Sequence, residues 1–149
     1  MSGRSVQVHV NITGLDELYA KLTSLPLQLS KKIMRMALRS AVLPWLNEMQ
    51  TSAHKFTGWM ASQFTIRTSV RGDELEGTAK VAIRNKQNPA RIGHEKHVPG
   101  AANELLWNEF GTVKMAAQPV MRPAFESKKD AVLQAFIDKV QSLLAETFQ

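Results

Sequence analysis

Two histidines in one short segment are the residues that could bind a metal ion. His94 and His97 lie three positions apart in the run His94-Glu95-Lys96-His97. The zinc motif that this run resembles places two histidines four positions apart on a helix face, and a third ligand is not apparent in the sequence. We therefore expect a polar loop here, with no metal ion and no other cofactor.

Paired carboxylates are the second group that could do chemistry, as the acid and base of a hydrolase. Asp73, Glu74 and Glu76 follow Gly72 in a segment with turn composition, where acidic residues are ordinarily solvated turn formers. The sequence has neither a Gly-x-Ser-x-Gly motif nor a glycine-rich phosphate-binding motif, and it contains no cysteine. The pattern therefore favours a protein that is not an enzyme, with no catalytic residues.

Basic residues on one helical face are the feature that best fits ligand binding. At 100° per residue, four of them fall within an arc of about 100°. Such a face could contact DNA phosphates without reading the base sequence, although a charged stripe is often only the solvated face of a helix. Basic, sequence-independent DNA binding is the alternative function that the sequence leaves open. The four residues are Lys31, Lys32, Arg35 and Arg39.

The distribution of charge along the chain restricts the kinds of DNA binding that the sequence allows. The 149 residues include 19 Lys and Arg against 13 Asp and Glu, a formal net charge of +6. The whole excess lies before residue 73, and the remaining residues are electrically balanced. A uniformly basic coat for nucleic acid is excluded, whereas one basic face is not.

Hydrophobic periodicity predicts an α+β fold in a single domain that spans residues 1–149. We expect an N-terminal strand from Val6 to Ile12, a short helix over residues 15–22, and a long helix over residues 27–53 that Pro44 kinks near Leu43. The chain lacks the apolar segment of a signal peptide and any run long enough to span a membrane. A soluble protein without membrane contact is expected.

The second half predicts the remaining elements. Alternating residues on both sides of Gly72 indicate a β-hairpin, and residues 85–102, without periodicity, predict a long mobile loop. Residues 104–110 form a short helix or strand. An amphipathic helix that begins at Pro123 and ends near Thr147 is expected to pack on the small antiparallel sheet.

The most specific pattern in the chain is a pair of neighbouring motifs. Residues 107–112 read aromatic-x-Glu-Phe-Gly-Thr, and residues 117–125 read Ala-x-Pro-x-x-Arg-Pro-Ala-Phe at the entry to the last helix. Together with residues 14–18 and the Thr57-Gly58 pair, they resemble the minor tail, or tail-completion, proteins of lambda-like and related long-tailed bacteriophages. The resemblance covers most of the chain in the same order.

This resemblance implies a small structural protein of the virion, without catalysis, at the head-proximal end of the tail or in the neck. It implies a homo-oligomeric ring of six subunits or a multiple, assembled in the host cytoplasm. The ring would complete the tail and join it to the head, with tail-tube, terminator or head-tail connector proteins as neighbours. The basic stripe would face either packaged DNA, through non-specific contact, or an acidic neighbouring ring.

Within that framework we expect the broad apolar faces of the two long helices to pack within and between subunits, and the loop over residues 85–102 to order on assembly. Gly111 should adopt a positive φ and present Trp107 and Phe110 on one side, where they would serve either an interface or the docking of the last helix on the subunit's own core. Arg122, a cation near a helix start, should have an acidic partner, either within the subunit or across the interface. The motif and interface residues are Trp107, Glu109, Phe110, Gly111, Thr112, Pro119, Arg122, Pro123 and Phe125.

Overall fold

The computed structural model describes residues 16–53, 58–93 and 97–149. Over these ranges the fold is α+β, as predicted, with helices and a two-stranded antiparallel sheet. The predicted N-terminal strand lies outside the described residues. The elements are α1 (Asp16–Thr23), α2 (Leu27–Ala41), α3 (Leu43–Ala53), α4 (Gly58–Ser62), β1 (Phe64–Arg71), β2 (Glu76–Ile83), α5 (Ala101–Phe110) and α6 (Met121–Thr147).

The contacts of the chain define two compact units. The first comprises the described residues of Trp45–Thr65 and Val81–Lys129. The second comprises those of Gln7–Pro44, together with Ile66–Lys80 and Asp130–Gln149. Each unit has its own buried residues, so we describe each by itself.

The second unit buries one face of α2 against the hairpin and the end of α6. Leu22 of α1 joins the same cluster, and the buried Ser30 donates its hydroxyl hydrogen bond to the Leu22 carbonyl at 2.7 Å. The predicted packing of the C-terminal helix on the small sheet is confirmed. The other buried members of the cluster are Ile33, Met34, Ala37, Val70, Leu75, Val140, Leu143 and Leu144.

The long helix predicted over residues 27–53 is interrupted where the sequence indicated. α2 ends at Ala41 and α3 begins at Leu43, with Val42 between them. Pro44 has no backbone N–H to donate to the carbonyl of residue 40, so the helical hydrogen bonds cannot continue through it. The Ser40 carbonyl instead accepts from the N–H of Val42. The longest uninterrupted helix in the described part of the chain is therefore α6, with 27 residues.

The β-hairpin is confirmed, and its turn has two residues with positive φ, Gly72 at 68° and Leu75 at 54°. A left-handed conformation costs a leucine about 1 to 2 kcal/mol. Leu75 is nevertheless buried in the cluster of the second unit, and burying such a side chain contributes about 2 kcal/mol. Burial therefore offsets the backbone strain at this position.

Two boundaries in the first unit differ from the sequence prediction. Residues 104–110, for which the sequence does not distinguish a helix from a strand, belong to a helix that already begins at Ala101. The prediction that the last helix begins at Pro123 is wrong, because α6 begins at Met121. Proline is tolerated throughout a first helical turn, where its missing N–H is not needed for the helical hydrogen bonds. Across the described ranges, no helix is long and apolar enough to cross a membrane.

Candidate functional site

The two sequence motifs meet in the first unit, where the end of α5 approaches the start of α6. α5 buries Ala101, Leu105 and Glu109, which are spaced four residues apart and share one helix face. Two of these residues are apolar, and the third is a glutamate that is only 5% exposed. A carboxylate on a buried helix face needs hydrogen-bond donors around it.

The donors for Glu109 are the backbone amides at the start of α6. One carboxylate oxygen accepts from the N–H groups of Val120 and Met121 at 2.8 and 2.9 Å, and the other accepts from that of Arg122 at 3.3 Å. These N–H groups precede the first helical hydrogen bonds and otherwise have no partner inside the helix. Glu109 therefore caps α6 from a different helix.

This cap also explains where α6 begins. A negative charge at a helix N-terminus is favoured by the helix dipole, and hydrogen bonds to a charged acceptor are the stronger kind. With the amides of residues 120–122 bound by Glu109, the helix forms two residues ahead of Pro123. Pro123 itself lies in the first turn and is exposed.

Arg122 has the acidic partner that the sequence predicted, and it lies in the same chain. Its Nε is 3.6 Å from a carboxylate oxygen of Glu109. Its guanidinium also lies over the ring of Phe110, 5.2 Å from the centroid, a cation–π geometry. Since the Arg122 side chain is 70% exposed, we expect its ion pair to contribute less than the backbone cap.

Gly111 ends α5 in a conformation that only glycine adopts readily. Its φ of 75° confirms the predicted positive value, and its ψ is 179°. A Cβ at this position would lie 2.9 Å from both the Ala117 backbone N and the Met115 carbonyl oxygen. Glycine is therefore required at this position for two reasons: other residues resist the positive φ, and there is no room for a Cβ atom.

Thr112 closes a tight turn directly after that glycine. Its N–H donates to the Met115 carbonyl at 2.8 Å, and the Met115 N–H donates back at 3.2 Å. Val113 lies at the tip of this turn and is fully exposed. After this turn the chain contacts α5 again, because the Gln118 N–H donates to the Asn108 carbonyl at 2.6 Å. This hydrogen bond fixes Gln118, and the exposed Pro119 follows it directly.

Four large apolar side chains project from this framework, and we call them the apolar surface: Trp107, Phe110, Val113 and Met115. Trp107 is 42% and Phe110 61% exposed, and their spacing of three places both on one side of α5, as predicted. Among the described residues of the first unit, Ile92 is the other exposed large apolar side chain. The four residues lie within nine positions of the chain, and exposed apolar side chains that cluster are typical of an interaction site.

Phe125, the last motif residue, has a different role. It is half-buried and meets the buried Trp45 ring edge to face, with centroids 5.5 Å apart. Lys128, one turn further, pairs with Glu48 at 3.5 Å. Phe125 therefore fixes the start of α6 to α3 inside the first unit and does not belong to the apolar surface.

The basic stripe of Lys31, Lys32, Arg35 and Arg39 lies on α2 in the second unit. Lys31 is half-buried and the other three are exposed, on the side of α2 away from its buried residues. Within the described ranges, none of the four forms an ion pair with an acidic side chain.

The residues first considered for chemistry do not converge on a site. His94 falls outside the described residues, and His97 is exposed. Asp73, Glu74 and Glu76 are exposed in and beside the hairpin turn, as solvated turn formers are. In the described parts of the chain, no group of three His, Cys, Asp or Glu side chains could hold a metal ion.

Two residues of the predicted loop, Gln87 and Arg91, form polar contacts with other residues of the first unit. The Gln87 side chain donates to the Val98 carbonyl at 2.8 Å, and Arg91 pairs with Glu104 of α5 at 2.7 Å. The loop's mobility and its ordering on assembly stay predictions.

Comparison of the chain with protein-family models, with curated proteins and with solved structures finds no match. The resemblance to phage tail-completion proteins therefore depends on the sequence motifs alone.

Proposed function

We propose that this protein is a structural subunit of a bacteriophage virion. It forms a ring at the head-proximal end of the tail or in the neck, where it completes the tail and joins it to the head. It assembles in the host cytoplasm and contacts tail-tube, terminator or connector proteins. The proposal assigns it no enzymatic activity.

The apolar surface is the observation that carries this proposal. Its side chains lie on a framework held by the Glu109 cap, the Gly111 bend and the Thr112 turn. A preformed surface loses little conformational entropy on binding, and exposed aromatic side chains are the residues that most often anchor protein interfaces. The motif residues that suggested the family thus build and support an exposed apolar surface, which supports the proposal.

Two kinds of assembly are open to a subunit that makes such contacts. When one surface of a subunit binds a different surface of the next, the contacts either close into a ring or continue as a filament. The motif resemblance implies the closed form.

The test is electron microscopy of particles made by the parent phage after disruption of this gene. We expect separate heads and tails, or tails of abnormal length, because the junction between them is missing. The wild-type chain supplied from a plasmid serves as the control and should restore joined particles. Normal, infectious particles made without the protein would contradict the proposal.

Sequence-independent DNA binding is the second candidate function, favoured by the exposed basic stripe on α2. Fluorescence anisotropy with a labelled duplex tests it across a series of salt concentrations. A DNA-binding protein should lose affinity linearly in a plot of log affinity against log salt, with a slope of about −0.9 for each phosphate contact. A chain without measurable duplex binding at low salt would exclude this function.

A further inference from the structure

The second unit carries nearly equal numbers of basic and acidic side chains, and their arrangement is uneven. The ion pairs found in the described residues all lie in the first unit. Within the described ranges, no charged side chain of the second unit forms an ion pair. The charges of this unit are therefore not neutralised by direct ion pairs within the described ranges.

The largest group of basic charges in this unit lies on α2, which carries four of the nine basic residues that the structure describes there. This helix contains four basic residues and no acidic one. Its opposite face is buried in the core of the unit, so the half-buried Lys31 and the exposed Lys32, Arg35 and Arg39 lie on the side away from that core.

The acidic charges are concentrated where α1 meets the hairpin turn. The Tyr19 hydroxyl donates to the Glu74 carbonyl at 3.3 Å, which joins the two segments. Five exposed carboxylates lie in these segments, against two basic residues, Lys21 and Arg71. We call the five acidic residues the acidic surface: Asp16, Glu17, Asp73, Glu74 and Glu76.

We propose that the basic stripe of one subunit binds the acidic surface of a second copy of this chain. This inference rests on the proposed ring and assigns two of its contacting surfaces. Since the two surfaces are different parts of the second unit, the contact is heterologous, and such contacts build a ring when the rotation between subunits closes. Complementary charges steer association and fix the orientation of the subunits.

Exposed apolar side chains beside both surfaces favour a protein partner over DNA. At 100° per residue, Leu27 and Met36 lie within about 40° of the two edges of the stripe, and they are 38% and 41% exposed. Tyr19, 45% exposed, lies beside the acidic surface, because its hydroxyl donates to the Glu74 carbonyl. α2 contains no aromatic side chain on which a base could stack. Mixed charged and apolar groups are typical of the rim and core of a protein interface.

Three matched triple variants test this contact. The stripe variant carries Lys32→Glu, Arg35→Glu and Arg39→Glu, and the acidic-surface variant carries Glu17→Lys, Asp73→Lys and Glu74→Lys. All six residues are exposed, so the subunits should fold, which circular dichroism checks. The control variant, with Arg84→Glu, Lys86→Glu and Lys129→Glu, reverses three exposed charges in the first unit.

Mass photometry then gives the concentration at which each protein assembles. We expect each test variant alone to need a more than tenfold higher concentration than the wild type, and the control variant to need the same concentration. An equimolar mixture of the two test variants should recover assembly, because each reversed surface then finds its complement on the other variant.

The outcomes separate the two proposals. If the wild type never assembles, the ring fails and this contact fails with it. If the wild type assembles and both test variants match it, or their mixture does no better than either alone, only this contact is overturned. If the stripe variant assembles normally but no longer binds a labelled duplex, the stripe binds DNA, and the proposed contact between subunits is overturned.

Discussion

Glu109 of α5 caps α6 through Met121, whose backbone N–H donates to the Glu109 carboxylate at 2.9 Å. The same oxygen accepts from Val120, and the carboxylate is buried. The two halves of the sequence motif therefore form one structural element, in which a side chain from the first half satisfies the helix start in the second. This element holds the apolar surface in place.

Replacement of Glu109 tests the cap. Glu109→Ala leaves buried N–H donors without an acceptor, and we expect the free energy of unfolding to fall by about 2 to 3 kcal/mol. Glu109→Gln keeps a carbonyl acceptor and should lose about half as much. Urea unfolding followed by circular dichroism measures both.

Glu126→Ala is the matched control for the cap, because Glu126 lies near the start of α6 and is exposed. We expect a change below about 0.5 kcal/mol. Equal losses for Glu109→Ala and Glu126→Ala would show that the buried carboxylate does not cap the helix.

Gly111→Ala should be far more destabilising than Gly93→Ala, although both glycines have positive φ, 75° and 88°. A Cβ at Gly93 meets no atom within 4 Å, so only the backbone cost of about 1 kcal/mol remains. At Gly111 the Cβ would also meet backbone atoms at 2.9 Å, and we expect a loss above about 3 kcal/mol. Thermal unfolding of both variants compares them, and similar melting temperatures would contradict the close approach.

The larger substitution Gly111→Val extends this test to function. Valine resists positive φ and adds branched bulk against the Met115 carbonyl and the Ala117 amide. We expect a phage that carries it to lose most of its infectivity, which a plaque assay measures. Plaque numbers equal to those of the wild-type phage would contradict the claim that the motif requires glycine at position 111.

Phe110→Ser should weaken assembly without weakening the fold. Phe110 is 61% exposed, so its replacement removes contact area that a partner would use. Within the chain, the replacement removes the cation–π contact with Arg122. We expect the assembly concentration to rise more than about tenfold, equivalent to about 1.4 kcal/mol, in analytical ultracentrifugation. Ile92→Ser, at another exposed apolar residue of the same unit, should leave it unchanged. Equal effects would mean that the apolar surface has no special role.

Ser30→Ala tests the link between α1 and α2 in the second unit. The Ser30 hydroxyl, 1% exposed, donates to the Leu22 carbonyl at 2.7 Å, and its loss should cost about 1 kcal/mol. Ser24 makes a comparable bond to the Lys21 carbonyl at 2.7 Å but is exposed, so Ser24→Ala should cost less than about 0.5 kcal/mol. Chemical denaturation distinguishes the two, and a larger loss for Ser24→Ala would contradict the buried link.

Local patterns in the sequence predicted most of the described fold. Pro44 marked the break between α2 and α3 because the missing N–H acts within one helical turn. Alternation around Gly72 predicted the hairpin for a similar reason, since both strands and their turn are contiguous in sequence. The positive φ predicted for Gly111, which follows Phe110 in the motif, is confirmed.

The cap by Glu109 could not be predicted in the same way, because it joins residues 11 and 12 positions apart through a connector without periodicity. One signal for it was present. Glu109 continues the four-residue spacing of Ala101 and Leu105, which places a carboxylate on a buried face that must contain donors. Without that step, the start of α6 was placed two residues too late, at Pro123.

Native mass spectrometry of the purified wild-type chain tests the central claim, that this protein is a ring-forming subunit, most directly. The measurement is made over a series of protein concentrations, alone and with phage tail tubes or head connectors. We expect a discrete species of six copies of the 16.6 kDa chain, or a multiple of six, without a ladder of longer filaments. A chain that remains at 16.6 kDa at every concentration and with every partner would contradict the account.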